Sequence, residues 1–246
     1  DFNRHGIREL FLQIMSMSRK MQYSLIEKRD ASIYFDEVDT LPIDSTTKVV
    51  WFGSQGSYSE LAFQDYFGEN VSAFSASTFK GVMEKVKEGS ADYGVLPIEN
   101  TSTGGITDIY DLLVAYDNVI VGEHILKVNH TLMGLPEARL EDITKVYSHR
   151  QGILQCQKFL EANPGIKCIE CESTADGAKK VVADKDITQA AIAGRQSAEI
   201  YGLKILKDTV NYESNNSTRF IIISRSRNYI KNAGKLSICF ELPHES

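Results

Sequence analysis

Lys48-Val-Val-Trp-Phe-Gly-Ser-Gln-Gly-Ser-Tyr-Ser-Glu-Leu-Ala-Phe-Gln-Asp-Tyr-Phe67 decides the fold of this chain. A short apolar run, 49–52, stops at Gly53. Polar and glycine residues follow, and Ser57 then opens a helical pattern that reaches Phe67. A strand, a turn and a helix are therefore written out in succession. The alternation continues downstream. Extended segments at 71–74, 93–98, 145–147, 166–170, 189–193 and 203–208 alternate with helical patterns at 79–86, 106–114, 150–161, 174–183 and 195–201. A last strand covers 219–224. No sequence repeat or low-complexity tract accompanies it. Strands alternating with helices predict an α/β architecture with mostly parallel sheets.

The extended segments 119–128 and 131–133 follow one another with no helix between them. They read as a crossing from a first lobe (about 48–122) into a second (about 128–210), and strand 219–224 returns the chain to the first lobe, about 217–226. Two lobes joined by two crossings leave a cleft, a usual place for a ligand.

The flanks read differently. Ile7, Phe11, Ile14, Met21 and Leu25 recur at helical spacings, with Ser18 on the same stripe, so 5–27 is predicted to be a helix standing apart from the lobes. Periodicity lapses over 28–47, where acidic residues and Pro42 mark a solvated linker. Lys235-Leu-Ser-Ile-Cys-Phe-Glu-Leu242 reads as the first strand of a further unit. Both ends thus look cut from a longer protein.

Composition excludes several classes. The net charge is -6 and no basic run or stripe occurs, which argues against a nucleic-acid partner. No apolar stretch approaches the roughly 20 residues needed to span a bilayer, so no membrane role is expected. The N-terminus has no apolar signal core, and the expected compartment is the cytoplasm. Cys168 and Cys171 have metal or redox spacing but no second pair, and they sit in a strand-like run. With Cys156 and Cys239 they read as ordinary reduced thiols. An acidic chain that takes an anion must concentrate positive potential locally.

Three strand ends lead into the pattern of a capping box: Ser57-Tyr-Ser-Glu60, Ser148-His-Arg-Gln151 and Ser173-Thr-Ala-Asp176. Helix N-termini carry unpaired N–H groups and partial positive charge, so three facing one cleft suit a small polyanion. Gly53 and Gly56 would let the backbone approach it. This glycine loop is not a phosphate-binding Walker loop, and it lacks the third glycine of a dinucleotide fingerprint, which argues against a nicotinamide-dependent oxidoreductase. Glu99-Asn-Thr-Ser-Thr-Gly-Gly105 offers Asn100, Thr101 and Ser102 as donors and Glu99 as an acid/base or orienting carboxylate. His149 sits at a strand-to-helix junction, where an unperturbed imidazole can donate a proton near neutrality. Arg219 is suited to a bidentate carboxylate contact, and Thr218 offers a hydroxyl beside it.

Gly53-Ser-Gln-Gly-Ser-Tyr-Ser59, Pro97-Ile-Glu-Asn-Thr-Ser-Thr-Gly104, Tyr147-Ser-His-Arg-Gln151 and Thr218-Arg-Phe220, in this order, resemble the prephenate dehydratase family. The match runs from about 48 to 226. Ser-His-Arg-Gln departs from the family's commoner Ser-His-Pro-Gln, with Arg150 read as facing solvent, and Gly-Ser-Gln-Gly departs from Gly-Pro-x-Gly. The resemblance implies a fold of two α/β lobes, like type II periplasmic binding proteins. It implies conversion of prephenate into phenylpyruvate, water and carbon dioxide, with no metal or organic cofactor. It ties Thr218 to the departing hydroxyl, with His149 or Glu99 as the ultimate proton donor. Ser57, Tyr58, Asn100, Thr101, Ser102, Ser148, Gln151, Ser173, Thr174, Arg219 and Phe220 complete the expected substrate site, Arg219 and the helix ends taking the retained pyruvyl carboxylate. The competing reading is a non-catalytic binding module for a small carboxylate or amino acid. The flanking resemblances are to the last helix of a chorismate mutase (1–28, with Ser18 and Gln22 at its substrate positions) and to the start of an ACT domain (235–246). The full-length protein is then expected to be a homodimer or higher oligomer.

Overall fold

The computed structural model describes residues 2–27, 34–212 and 215–239, and in the first stretch the side chains of 6–22. Residues up to Glu37 cluster as a unit of their own. Its helix α1 (Phe2–Glu27) has the predicted extent to within three residues, and every described side chain on it is exposed. The short strand β1 (Asp36–Val38) follows within the expected linker.

The second unit, from Val38 onward, contains both lobes. Lobe 1 begins β2 (Lys48–Phe52), α2 (Tyr58–Phe67), β3 (Ser72–Ala76), α3 (Phe79–Lys87), β4 (Tyr93–Asn100), β5 (Gly104–Gly105), α4 (Thr107–Ala115), β6 (Val119–Lys127). Lobe 2 comprises β7 (His130–Gly134), β8 (Lys145–His149), α5 (Arg150–Gln155), α6 (Gln157–Glu161), β9 (Lys167–Cys171), α7 (Thr174–Asp184), β10 (Gln189–Gly194), α8 (Arg195–Tyr201) and β11 (Lys204–Lys207). Strand β12 (Ser217–Ser224) returns to lobe 1, and β13 (Asn228–Ile230) follows.

The lobe 1 sheet has the order β3-β2-β4-β12-β6, and the lobe 2 sheet, read from its far edge, β9-β8-β10-β7-β11. The two orders are the same pattern, a structural repeat with no echo in the sequence. In each lobe three strands run parallel, joined by helical crossovers. In each sheet one strand, β12 or β7, runs the other way, and the edge strand beyond it, β6 or β11, is antiparallel to that strand and so points the same way as the first three. Half of the pairings along each five-strand path are antiparallel, so the sheets are mixed, not mostly parallel. The parallel strands end at the cleft, whereas β7 and β12 enter from it and so must run the other way.

Each sheet is apolar on both faces, which explains the unbroken apolar runs. Along β12, Phe220 and Ile222 pack with Trp51 and Phe63, while Ile221 and Ile223 pack with Val82, Met83 and Ile109. In lobe 2, Leu132, Val146 and Ile192 form one core, and Met133, Tyr147 and Ala193 the other. The helix predicted over 150–161 is two short helices broken at Cys156, whose φ of -106° and ψ of 12° leave the helical range as its side chain enters the core. Residues 235–239 form no strand, and the rest of that predicted element lies outside the described residues. Among the described residues no helix is long and apolar enough to cross a membrane.

Candidate active site

A cavity of about 400 Å³ lies between the lobes. Lobe 1 lines it with Phe52, Ser57, Tyr58, Phe79, Pro97, Asn100, Thr218 and Phe220. Lobe 2 contributes His130, His149, Gln151, Gln155, Ser173 and Thr174.

Two of the three expected helix caps form as read. Ser57 Oγ accepts from the Glu60 N–H at 3.3 Å, and the Glu60 carboxylate reaches back to the Gly56 N–H. Ser173 Oγ accepts from the Asp176 N–H at 3.0 Å at the start of α7. Gly177 lets that helix lie directly on β8, since a Cβ there would stand 2.8 Å from the Tyr147 carbonyl oxygen. The third cap is displaced by one residue. His149 caps α5, its Nδ1 accepting from the Gln151 N–H at 3.2 Å. Ser148 is fully buried and donates to the Ile192 carbonyl at 2.6 Å, tying β8 to β10 instead of meeting a ligand. Burial lowers the His149 pKa, with Glu170 opposing, so the ring is neutral near pH 7 with its proton on Nε2.

The Thr218-Arg219-Phe220 element divides between two faces of β12, because successive strand residues point opposite ways. Thr218 and Phe220 line the cavity. Arg219 points away, its guanidinium 2.8 Å from Glu99 and 3.7 Å from Glu123. Glu99 stands directly opposite Arg219 in the β4–β12 register. Neither lines the cavity, which corrects the expectation of an arginine–carboxylate contact and of Glu99 as proton donor. The register skips Ile98 between those partners and the Phe220–Pro97 pair. That bulge accommodates a proline, which has no N–H to give the ladder.

Thr101 and Ser102 also stay out of the cavity. Thr101 joins the start of β12 to the end of β4: its Oγ1 donates to the Asn215 carbonyl at 3.1 Å and accepts from the Ser217 N–H at 3.0 Å. Ser102 acts through its backbone, its N–H donating to Asn100 Oδ1 at 2.9 Å. That bond fixes the Asn100 amide, because only an oxygen accepts. Asn100 Nδ2 must then face Thr218 Oγ1, 2.9 Å away. Thr218 therefore accepts from Asn100 and keeps its own hydroxyl hydrogen for the cavity.

Three polar residues at the site were not singled out from the sequence. His130 Nε2 lies 2.9 Å from Gln155 Oε1, and its Nδ1 lies 3.2 Å from the Tyr58 hydroxyl. Asn216 Nδ2 donates to the same Gln155 oxygen at 2.9 Å, and Gln155 Nε2 donates to Asn100 Oδ1 at 3.3 Å. Gln155 was within reach of sequence reasoning, since it lies one helical turn beyond Gln151. His130 gave no local signal.

The loop 53–56 joins the lobes. Ser54 Oγ donates to Asp176 at 2.6 Å, Ser197 Oγ to the Gly56 carbonyl at 2.8 Å, and the Tyr201 hydroxyl to the Gln55 carbonyl at 2.8 Å. Gly56 has φ of 85°, and a Cβ there would stand 3.0 Å from Ser197 Oγ and 3.3 Å from its Cα. Gly56→Ala is expected to cost about 2 kcal/mol, from the left-handed backbone and the crowding together. A denaturation midpoint unchanged from wild type would contradict this.

No lysine or arginine is among the described residues lining the cavity, and Asp108 and Glu172, both exposed, stand at its edge. The expected positive potential comes instead from helix starts. The first-turn N–H groups of α2 and α7, at Tyr58, Ser59, Thr174 and Ala175, have no intrahelical partners. Among the described residues no group of three or more His, Cys, Asp or Glu side chains is placed to hold a metal ion.

Two α/β lobes thus enclose a cavity lined by helix starts, aromatic rings and several hydroxyls, Thr218 among them. The family model described as prephenate dehydratase matches residues 49–228, and the chain belongs to that family. It is 34% identical over 224 residues to the bifunctional chorismate mutase/prephenate dehydratase of Escherichia coli (strain K12), covering 90% of this chain and 56% of that protein. The chain thus spans about half the length of the curated relatives it matches. Among solved structures it is similar to prephenate dehydratase from Arthrobacter aurescens in complex with L-Phe, with a TM-score of 0.71 and 26% identity over 76% of this chain and 63% of that one. It is also similar to a protein described as a novel type of quorum quenching acylase, with a TM-score of 0.65 and 30% identity over 72% of this chain and 64% of that one.

Proposed function

We propose that this chain converts prephenate into phenylpyruvate. In that reaction the bond to the ring carboxylate breaks and its electron pair enters the ring. The ring C–O bond breaks, the hydroxyl leaves as water after taking up one proton, and carbon dioxide departs. Aromatisation supplies the driving force. The observation that carries the reading is the Thr218 hydroxyl, buried beside the cavity and accepting from Asn100, which leaves its own hydrogen for a group in the cavity.

A lining without lysine or arginine among the described residues suits this chemistry. A carboxylate that must leave as neutral carbon dioxide gains nothing from an ion pair that has to be broken on the way. Phe52, Phe79, Pro97 and Phe220 offer apolar walls for the ring and the departing group. The retained pyruvyl carboxylate is assigned to the starts of α2 and α7, where each helix end contributes about 0.3–1 kcal/mol. His149, capping α5 in its neutral form, offers the substrate a hydrogen bond from Nε2, and Gln151 completes that edge.

The relative described as an acylase raises an acyl-transfer reading. A threonine nucleophile needs a base to take its proton. The Asn100 nitrogen that contacts Thr218 Oγ1 is a donor and cannot serve. The non-catalytic alternative predicts that prephenate is bound and released unchanged. Incubation with prephenate at neutral pH, without added metal or cofactor, separates these readings. Phenylpyruvate formed well above the spontaneous rate supports the dehydratase, and unchanged prephenate sinks it. Arg219→Met is expected to leave the KM for prephenate within about threefold of wild type, because the side chain does not reach the cavity. A rise of two orders of magnitude in KM would return Arg219 to the substrate.

The same reading makes α1 the last helix of a chorismate mutase domain, with Ser18 and Gln22 one turn apart and exposed, and makes 235–246 the opening of an ACT domain. The bifunctional relatives support the first of these.

A further inference from the structure

We propose that His130 is a positioning residue for the same reaction, setting through Gln155 and Asn100 the direction in which Thr218 offers its hydroxyl hydrogen. The proposal rests on the dehydratase reading and deepens it. Its basis is a chain of buried amides with two fixed ends.

The first end is the Ser102 N–H, which makes Asn100 Oδ1 an acceptor. Gln155 approaches that same oxygen at 3.3 Å and must present its nitrogen to it. Gln155 Oε1 therefore faces the other way, toward two donors. One is Asn216 Nδ2 at 2.9 Å. The other is His130 Nε2 at 2.9 Å, which must carry a hydrogen. In the neutral ring Nδ1 is then bare and faces the Tyr58 hydroxyl, whose single hydrogen is shared between Nδ1 at 3.2 Å and the Asn129 carbonyl at 2.8 Å. Asn216 Oδ1 accepts from Asn100 Nδ2 at 2.9 Å and closes the loop. The orientation of every amide follows from its neighbours, and all five side chains, from Asn100 to Thr218, are buried.

His130 is the second fixed end. Both ring nitrogens are engaged by protein groups, so it has no polar atom left for a ligand and acts only through Gln155. Burial holds its pKa near 4, against the opposing hydrogen bond to Gln155, so the ring is neutral over the working range. Without the His130 N–H, the Gln155 amide loses one of the two donors that hold its oxygen away from Asn100. A reversed Gln155 would set oxygen against Asn100 Oδ1, which the Ser102 N–H holds in place, and push the amide off its 2.9 Å contact with Thr218 Oγ1. Thr218 would then lose the donor that directs its hydrogen to the cavity.

The test has a spectroscopic and a kinetic arm. In the histidine-labelled wild-type chain, the ¹⁵N shifts of His130 at pH 7 are expected to show a neutral ring with its proton on Nε2. A proton on Nδ1, or a charged ring, overturns the chain of orientations. In the kinetic arm, His130→Leu is expected to lower kcat about tenfold, the worth of one buried hydrogen bond, with KM within about twofold. His130→Gln, which keeps an N–H, recovers most of that loss. In a Gln155→Leu background His130→Leu is expected to have no further effect on kcat, because residues acting through one path are not additive. Multiplying losses, or a folded His130→Leu protein with wild-type kcat, overturns the proposal. Should the wild type itself fail to turn over prephenate, the dehydratase reading fails, an outcome distinct from these.

Discussion

Thr218→Ala is expected to fold and to lose at least about 100-fold in kcat, the lower end of what a positioned proton-donating group contributes. The leaving hydroxide is a poor leaving group unless a hydrogen bond or proton reaches it as the C–O bond breaks. Thr218 is the hydroxyl beside the cavity whose hydrogen is pushed inward by a donor behind it. Removing it should cost little stability, about 1 kcal/mol. Asn100 Nδ2 keeps Asn216 Oδ1 at 2.9 Å and the Ser217 carbonyl at 3.1 Å, so no buried donor is orphaned. The space left by the side chain merges with an existing cavity and seals no new void. Thr218→Ser keeps the oxygen and should retain turnover within about tenfold of wild type. Thr218→Val keeps the shape without the hydroxyl and should behave as alanine does. The measurements are kcat for phenylpyruvate formation and the thermal midpoint of each variant. A folded Thr218→Ala protein with wild-type turnover would remove Thr218 from the mechanism.

The elements of the lobes were legible because each has a local signature. The apolar runs of β2, β4, β10 and β12 are buried on both faces, and Ser57 and Ser173 cap the helices they precede. What the sequence hid lies in relations across distance and across faces. Arg219 and Thr218 are neighbours in the chain, yet a strand sends them to opposite sides. One rule of strand geometry, applied to 218–220, would have separated them; the chemical appeal of an arginine beside an anion obscured it. At 148–149 the cap moved by one residue because Ser148 was claimed by the Ile192 carbonyl, a partner 44 residues away. The glycine loop 53–56 has the composition of a ligand cradle, but much of its polar capacity meets α7 and α8 of the other lobe. His130 was invisible for the same reason: its partners Tyr58 and Gln155 lie 72 and 25 residues away. The shared strand order of the lobes is likewise a property of the backbone path, which different side chains satisfy equally well.

The histidine that closes the amide chain also makes the fold acid-sensitive. Lowering the pH from about 6.5 to about 4 is expected to remove about 3 kcal/mol of stability through His130 alone. In the unfolded chain the ring protonates near 6.5, while in the folded protein burial holds that event to about 4. Above 6.5 both states are neutral and the group has no effect. Between the two values the unfolded state binds a proton that the folded state refuses, so unfolding gains with every step down in pH. Below about 4 both states are charged and the effect levels off. His149, also lowered by burial, adds a smaller loss in the same direction. The carboxylates Asp44, Glu123 and Asp186 are held below their ordinary values by hydrogen bonds, so their contributions are lost only at lower pH and do not overlap the upper part of the window. Urea midpoints at pH 7, 5.5 and 4.5, taken for wild type and for His130→Gln, isolate the histidine. The wild type should weaken steadily across that range, and the glutamine variant, which cannot titrate, should lose much less. Parallel curves for the two proteins would mean that His130 accepts its proton as readily folded as unfolded, which a buried ring with both nitrogens engaged should not do.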